Sequence, residues 1–375
     1  MSFKRNGKTV ILGLSGGVDS AVCAFLLLQQ GYEVIPIFMQ NWDTVANNDV
    51  KGHTKKIVDG CESNIDYEDA KKVAEYLNLK LHKVDFIDQY WNNVFKDFID
   101  KYKKSLTPNP DVLCNKFIKF GSFYDYVKQN FKFDYIAMGH YVGIKQTQDG
   151  IYLLKALDDS KDQSYFLCDL NQDQLKQVMF PLANLIKKEV REIAKQNNLP
   201  VWNKKDSTGI CFIGKRDFNE FLGNYIPALS GNIVDIETKK IVGKHIGTMY
   251  YTLGQNKDLH LSGQKEKYFV CDKDVNKRIL YVCTQDNKQK YLQSTKCTLE
   301  SFNFINSHSL NDLTNLKVRF RHLQKLIDIK SFQLFNGLWT LEYSPTLAVT
   351  PGQYAVIYKD NVCIGGGVIK SIIKN

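Results

Sequence analysis

An apolar run that passes directly into a glycine-serine loop and then an apolar helix leaves this chain little choice of fold. The run is Thr9-Val10-Ile11-Leu12-Gly13-Leu14, short and continuous as in strands buried within a parallel sheet. The loop is Ser15-Gly16-Gly17-Val18-Asp19-Ser20, and the helix is Ala21-Val22-Cys23-Ala24-Phe25-Leu26-Leu27-Leu28, which Gly31 can end. Two glycines let the backbone turn sharply and approach an anion with no Cβ in the way. The loop N–H groups, the serine hydroxyls and the helix N-terminus then face that anion. The site falls at the carboxyl end of a parallel strand, where open α/β sheets take ligands. It lacks a Gly-Lys-Ser/Thr ending and is not a Walker A loop. The plainer alternative is a helix merely capped by Asp19 or Ser20, which the strand before and the apolar helix after disfavour.

The alternation continues. Glu33–Met39 and Leu81–Phe86 read as strands, Asp66–Leu79 and Tyr90–Tyr102 as amphipathic helices, and Phe133–Met138 as a further strand. Helices are expected near Asp173–Met179 and Lys187–Asn198. From about Lys205 the texture turns glycine-punctuated and strand-rich, with runs at Gly231–Val234, Gly247–Tyr251 and Tyr268–Val270. Beyond Gln285, Leu316–Phe320 and Gln353–Tyr358, the turn Asp360-Asn361 and the tract Gly365-Gly366-Gly367 fit a small antiparallel barrel. The expected fold is α/β: a doubly wound parallel-sheet domain over 1–205, a small β-rich central domain over 206–284, and a C-terminal β-barrel over 285–375.

Composition excludes some classes. Nothing approaches the run of about 18 apolar residues that a membrane helix needs. Met1–Lys8 lacks an h-region and cleavage site, so a cytoplasmic location with no membrane partner is expected. Nine cysteines at 23, 61, 114, 168, 211, 271, 283, 297 and 363 are scattered, with no C-x-x-C pair. Most should be small buried hydrophobes, and no resident protein-built metal site is expected. The net charge is +10, and the segment from Gln285 onward carries eleven basic against six acidic residues. A basic all-β module of this kind is a candidate surface for RNA.

Two segments carry further chemistry. In Thr107-Pro108-Asn109-Pro110-Asp111-Val112-Leu113-Cys114, the prolines fix an extended turn that holds Asn109 and Asp111. Asn109 offers a donor and an acceptor, enough to read a base edge. Asp111 begins a helix with Cys114 in its first turn, and Lys116 and Lys119 nearby favour a thiolate. In Asp206-Ser207-Thr208-Gly209-Ile210-Cys211-Phe212-Ile213-Gly214, glycines flank a cysteine accessible enough to carry a transferable sulfur. Judged alone, either cysteine could be inert and packed.

Together these motifs resemble the bacterial and organellar tRNA-specific 2-thiouridylase family within the PP-loop ATP-pyrophosphatase superfamily. The likeness extends through Met39–Trp42, Tyr90-Trp91, Gly139-His140-Tyr141, Lys161–Leu167, Tyr251–Gln255 and Pro351–Gln353. Asn256 stands where an arginine is usual, with Lys257 beside it, and Met138 precedes Gly139. The resemblance implies ATP as substrate, with Mg²⁺, bound by Gly13, Leu14, Ser15, Gly16, Gly17, Val18, Asp19, Ser20, Met39 and Gly139. It implies that Asn109, Pro110 and Asp111 meet the target base. His140, Lys161, Asp162, Gln163, Phe320, Arg321 and Gln353 would touch tRNA. Cys114 would be the nucleophile, Cys211 the persulfide carrier and Asp111 the acid/base. The implied reaction is 2-thiolation of a wobble uridine by adenylation of its C2 oxygen, releasing AMP and pyrophosphate. The sulfur donor would be a cysteine desulfurase or relay protein. Attack by Cys114, leaving a Cys114–Cys211 disulfide, and prior release of hydrogen sulfide are both open. A small-molecule ligase and a non-catalytic RNA-binding protein are the rival readings.

Overall fold

The computed structural model describes residues 4–44, 46–49, 62–206, 217–261 and 266–373. The first domain is an open parallel sheet. Its strands are β1 (Thr9–Gly13), β2 (Glu33–Gln40), β3 (His82–Asp85), β4 (Tyr135–Ala137), and, beyond a hairpin of β5 (Gly143–Thr147) and β6 (Gly150–Leu154), β7 (Val178–Met179). The order is β3-β2-β1-β4-β7. Side chains of β1 alternate as a strand's period of two demands. Val10 and Leu12 join a core with Val22, Ala70, Val73, Val190 and Ala194. Ile11 faces the other way, into an aromatic core with Phe86, Phe95, Phe98, Ile118 and Phe123. Helices α1 (Val18–Gln29), α2 (Glu62–Tyr76) and the helix Lys187–Gln196 therefore cover one face, and the helical run 87–130 covers the other.

The segment 173–179, expected to be helical, divides in two. The Asn171–Gln174 capping box starts a single turn over Gln172–Leu175, and β7 then adds to the sheet edge with Val178 opposite Ile136. The strand-like run at 247–251 instead makes one 3₁₀ turn, Thr248–Tyr250, with Thr248 and Met249 both buried.

The central unit is a four-stranded sheet of β8 (Gly231–Asp235), β9 (Ile241–His245), β10 (Tyr268–Asp274) and β11 (Ile279–Thr284), in the order β10-β11-β8-β9. Its core is Ile233, Tyr251, Val270, Leu280 and Val282. The last unit holds β12 (Gln293–Leu299), β13 (Asn303–Phe304), β14 (Lys317–Arg319), β15 (Ile327–Phe335), β16 (Leu338–Leu347), β17 (Tyr354–Lys359) and β18 (Val362–Ile373). Six of these form a closed barrel, β12-β16-β15-β14-β17-β18, sealed by β12 pairing with β18. Asp360-Asn361 makes the β17–β18 turn, with Asp360 at φ +52°. The β5–β6 hairpin of the first domain pairs onto β18, Leu154 opposite Val362, so two domains share one sheet. The described cysteines, Cys23, Cys114, Cys168, Cys271, Cys283, Cys297 and Cys363, are all buried, and none of them forms a disulfide with another described residue. Among the described residues no helix is long and apolar enough to cross a membrane.

Candidate functional site

The loop after β1 is held by its own serines. Ser20 Oγ accepts from Ser15 N (3.2 Å), lies 3.2 Å from Ser15 Oγ and donates to Gly17 O (3.1 Å). The N-cap of α1 is Gly17, with no side chain capping it, so neither Asp19 nor Ser20 acts as a plain helix cap. Gly16 sits at φ +75°, and a Cβ there would lie 2.1 Å from the backbone oxygen of Asp66. Lys204 fixes this contact: its Nζ donates to Gly16 O (3.1 Å), Asp66 Oδ1 (2.8 Å) and Asp69 Oδ2 (2.7 Å). Burial alone would lower the Lys204 pKa, but the two carboxylates raise it. Met39 and Met138 close over Gly13, with Met138 Sδ 2.7 Å and Met39 Cε 3.2 Å from the position of an added Cβ.

Asp19 points away from its own helix into a charged cluster. It accepts from Tyr141 Oη (2.7 Å) and from Lys187 Nζ through both oxygens (2.7 and 2.9 Å). Lys187 also pairs with Asp206 (2.9 Å), which binds Lys161 (3.0 Å) and Arg191 (2.5 Å). Burial would raise the Asp206 carboxyl, yet Lys187 and Lys161 bring it down to about 2. Burial, and then Asp19, push the Tyr141 hydroxyl up, so it remains a proton donor to Asp19. Three cations, Lys161, Lys187 and Arg191, thus converge on Asp19 and Asp206 beside the loop.

The second half of the site lies on the run 110–130. Asn109 is extended (φ −122°, ψ 94°), as a residue before proline must be, and Pro110 occupies the first helical position. The helix therefore starts one residue before Asp111. It widens into a π-helical stretch at Cys114–Ser122 and returns to α over Phe123–Asn130. Such widenings are frequent at functional sites. Asn109 Oδ1 is buried with no hydrogen-bond partner. Burial raises the Asp111 carboxyl, with Lys119 opposing. Cys114 is 3% exposed. Lys119 Nζ lies 3.4 Å from His140 Nε2, and burial, then Lys119, hold His140 neutral.

The segment Gly139-His140-Tyr141, beyond β4, joins the two halves. A Cβ on Gly139 would lie 3.3 Å from Ser20 N, so this backbone rests on the loop. His140 meets Lys119 on the cysteine-bearing helix, and Tyr141 returns to Asp19.

The expected RNA-contacting residues are distributed unevenly. Lys161 is bound to Asp206, and Gln163 accepts from Tyr141 N (3.0 Å). Asp162 is fully buried in an ion pair with Arg319 (2.6 Å), and Phe320 is buried within the barrel, so neither side chain offers surface to a polynucleotide. His140 is likewise buried. Arg321 is exposed and donates to the carbonyls of Leu253 and Ala348. Gln353 donates to the carbonyls of Thr107 (3.1 Å) and Pro108 (3.3 Å) and so braces the proline turn. Cys211, with its flanking glycines, lies outside the described residues. Lys187, Arg191 and Lys204 escaped sequence reasoning, and Tyr141 and Asp206 stood in quoted motifs without a role, because their partners are far along the chain. One signal was available, since Lys187 and Arg191 are four apart on a helix and share a face.

An open parallel sheet with this loop at its strand ends defines a nucleotide-handling α/β enzyme domain. Residues 8–215 match the family described as tRNA methyl transferase HUP domain, residues 219–284 the tRNA methyl transferase PRC-barrel domain, and residues 294–369 the aminomethyltransferase beta-barrel domain. The chain is 53% identical over 364 residues to tRNA-specific 2-thiouridylase MnmA of Ureaplasma urealyticum serovar 10, covering 96% of this chain and 95% of that protein. It is 52% identical over 373 residues to the protein of the same name from Mycoplasma capricolum subsp. capricolum, covering 97% and 99%. The chain belongs to the tRNA-specific 2-thiouridylase family. A solved 4-thiouridine synthetase–RNA complex with bound ATP aligns at 17% identity and a TM-score of 0.33, covering 55% of this chain and 45% of that one, too distant to carry an argument.

Proposed function

We propose that the protein uses ATP to thiolate C2 of the wobble uridine in tRNA, releasing AMP and pyrophosphate. The observation that carries this reading is the Gly139–Tyr141 segment, which ties an anion loop to a helix bearing a buried acid and a cysteine. ATP is the activating substrate, cradled by Gly13–Ser20 with Met39 and Gly139 beside it. Lys187, Arg191 and Lys161 supply positive charge for its phosphates. No cluster of three or more His, Cys, Asp or Glu among the described residues could hold a metal alone. Mg²⁺ would therefore arrive with ATP, held by Asp19 and phosphate oxygens, and would neutralise phosphate charge.

The wobble base is single-stranded and needs little energy to extrude. Asn109, with an unpartnered oxygen, and Pro110 receive it, and Asp111 exchanges the proton. The uridine C2 oxygen attacks the α-phosphorus and pyrophosphate leaves. The terminal sulfur of a Cys211 persulfide then bonds to C2, AMP departs, and Cys114 takes the remaining Cys211 sulfur as a disulfide that an external thiol reduces. A cysteine desulfurase or relay protein reloads Cys211. Lys161, Gln163 and Arg321 contact tRNA directly; His140, Asp162, Phe320 and Gln353 support that surface from inside. The domains 1–205, 206–284 and 285–375 divide the work into activation, bracing and RNA contact, in the cytoplasm.

The test is nucleoside mass spectrometry of wobble-uridine tRNA incubated with the protein, ATP, a cysteine desulfurase and cysteine. The expected product is 2-thiouridine, formed with one AMP and one pyrophosphate. Unmodified uridine, or pyrophosphate release that ignores tRNA, would overturn the reading. Cys114→Ser and Cys211→Ser should each block thiolation while tRNA-dependent pyrophosphate release persists.

A further inference from the structure

The central domain carries a lysine that the reaction does not use. The helix Lys96–Lys103 ends in a left-handed reversal at Ser105, φ +53°, where Ser105 N donates to Tyr102 O (2.8 Å) and Leu106 N to Lys101 O (3.0 Å). That reversal turns the Ser105 carbonyl outward, away from the helix and toward the central sheet. Lys273 Nζ, from β10, donates to it at 2.9 Å. Lys273 follows a register shift between Val270 and Asp272, a bulge of the kind that re-aims a side chain. No carboxylate pairs with Lys273 among the described residues, and burial pulls its ammonium down to about 8. An ammonium desolvated without a counter-charge costs stability, so its single bond to a distant carbonyl calls for a reason.

The same stretch of chain is gripped elsewhere. Ser105 Oγ lies 2.8 Å from Thr248 Oγ1, and Thr107 Oγ1 lies 3.5 Å from Thr252 Oγ1. Thr252 belongs to the Tyr251–Gln255 motif, which is locked by Gln255 Oε1 accepting from Thr252 N (3.0 Å) and by Val270 N donating to Gln255 O (2.9 Å). From the barrel, Thr107 N donates to Pro351 O (3.2 Å), beside the two Gln353 bonds. The contacts of Lys273, Thr248, Thr252, Pro351 and Gln353 with this stretch all fall on residues 105–108. The next residue is Asn109.

We infer that Lys273, together with Thr248, is a positioning residue through which the central domain sets the Asn109-Pro110-Asp111 turn against the target base. The inference rests on the base-reading role proposed above for that turn. Neither side chain touches substrate; both act through the Ser105–Pro108 backbone. A turn fixed at one end by a helix and at the other by proline moves as a unit when its anchor is lost. A displacement of about 1 Å at a reacting group costs rates of order a hundredfold.

The experiment measures tRNA-dependent pyrophosphate release by the full chain for wild type, Lys273→Met and Thr248→Val. For Lys273→Met, kcat/KM for tRNA should fall at least about tenfold while KM for ATP stays within about twofold. Lys273→Arg, which keeps a donor, should recover part of the loss. Thr248→Val keeps the shape of its site and should show the same tRNA-selective defect, smaller, even if Lys273→Met folds poorly. Wild-type kcat/KM for tRNA in both variants overturns the inference, as does an equal loss toward ATP and tRNA in Thr248→Val. Absence of tRNA-dependent release in wild type overturns the base-reading role itself, and the inference with it.

Discussion

Replacing Gly16 by alanine tests the anion loop at its tightest point. A Cβ there would sit 2.1 Å from the Asp66 backbone oxygen, with the Asp66 carbonyl carbon at 3.0 Å and Ala70 N at 3.1 Å. These are backbone atoms of α2 and cannot rotate aside. Bringing the oxygen to the closest separation real Cβ atoms show, 3.0 Å, requires the loop or α2 to move by about 0.9 Å. Alanine at φ +75° adds about 1–2 kcal/mol of backbone strain, which for a domain near 200 residues lowers Tm by about 2–8 °C. The functional effect should be larger, because a shift near 1 Å in a group that holds a reacting phosphate costs about a hundredfold. Initial rates of tRNA-dependent pyrophosphate release at saturating tRNA, with ATP varied, separate the two effects. We expect a rise in KM for ATP with kcat/KM for ATP down about a hundredfold, at a temperature where the variant remains folded by circular dichroism. A Gly16→Ala variant within twofold of wild type in kcat/KM for ATP would refute the assignment of this backbone to the phosphates.

Lys187→Met removes the cation shared by Asp19 and Asp206 and should lower pyrophosphate release about a hundredfold or more, whereas Lys188→Met, on the exposed neighbour, should not. Asp111→Asn should abolish thiolation and yet raise Tm at neutral pH. A carboxyl whose folded pKa is raised by burial contributes full stability only below its unfolded value near 3.9 and loses it as pH rises through the folded value, so the Tm advantage should close in a thermal series taken toward pH 4. Gly366→Ala places a Cβ 2.5 Å from Cys168 Sγ, where the barrel meets the first domain; a loss of about 1–3 kcal/mol in urea unfolding, partly restored by Cys168→Ala, is expected.

Local periodicity made much of this architecture readable. The runs at Thr9–Leu14 and Glu33–Met39 match β1 and β2 to within one residue, because a strand buried on both faces announces itself as largely apolar sequence. Turn chemistry located the β17–β18 hairpin at Asp360-Asn361. What stayed hidden depends on partners far along the chain. Nothing around Val178 distinguishes a sheet edge from a helix end until Ile136 lies beside it. Asp206 could be read as the start of a cysteine loop, but its ion pairs with Lys161, Lys187 and Arg191 exist only once helix and loop have met. Motif resemblance likewise grouped Asp162 and Phe320 with surface residues, although burial is a property of the assembled barrel rather than of the motif.

The hairpin β5–β6 has a consequence in time. Leu154 pairs with Val362, so the ribosome must add about 200 residues before that edge finds its partner. At about 5–20 residues per second, the wait is roughly 10–40 s. For that interval the first domain presents an open strand edge, a template for pairing with another nascent chain. Synthesis of this protein should therefore be most vulnerable to aggregation after the sheet domain has emerged and before the last strand has, and a truncation ending near residue 290 should be less soluble than the full chain.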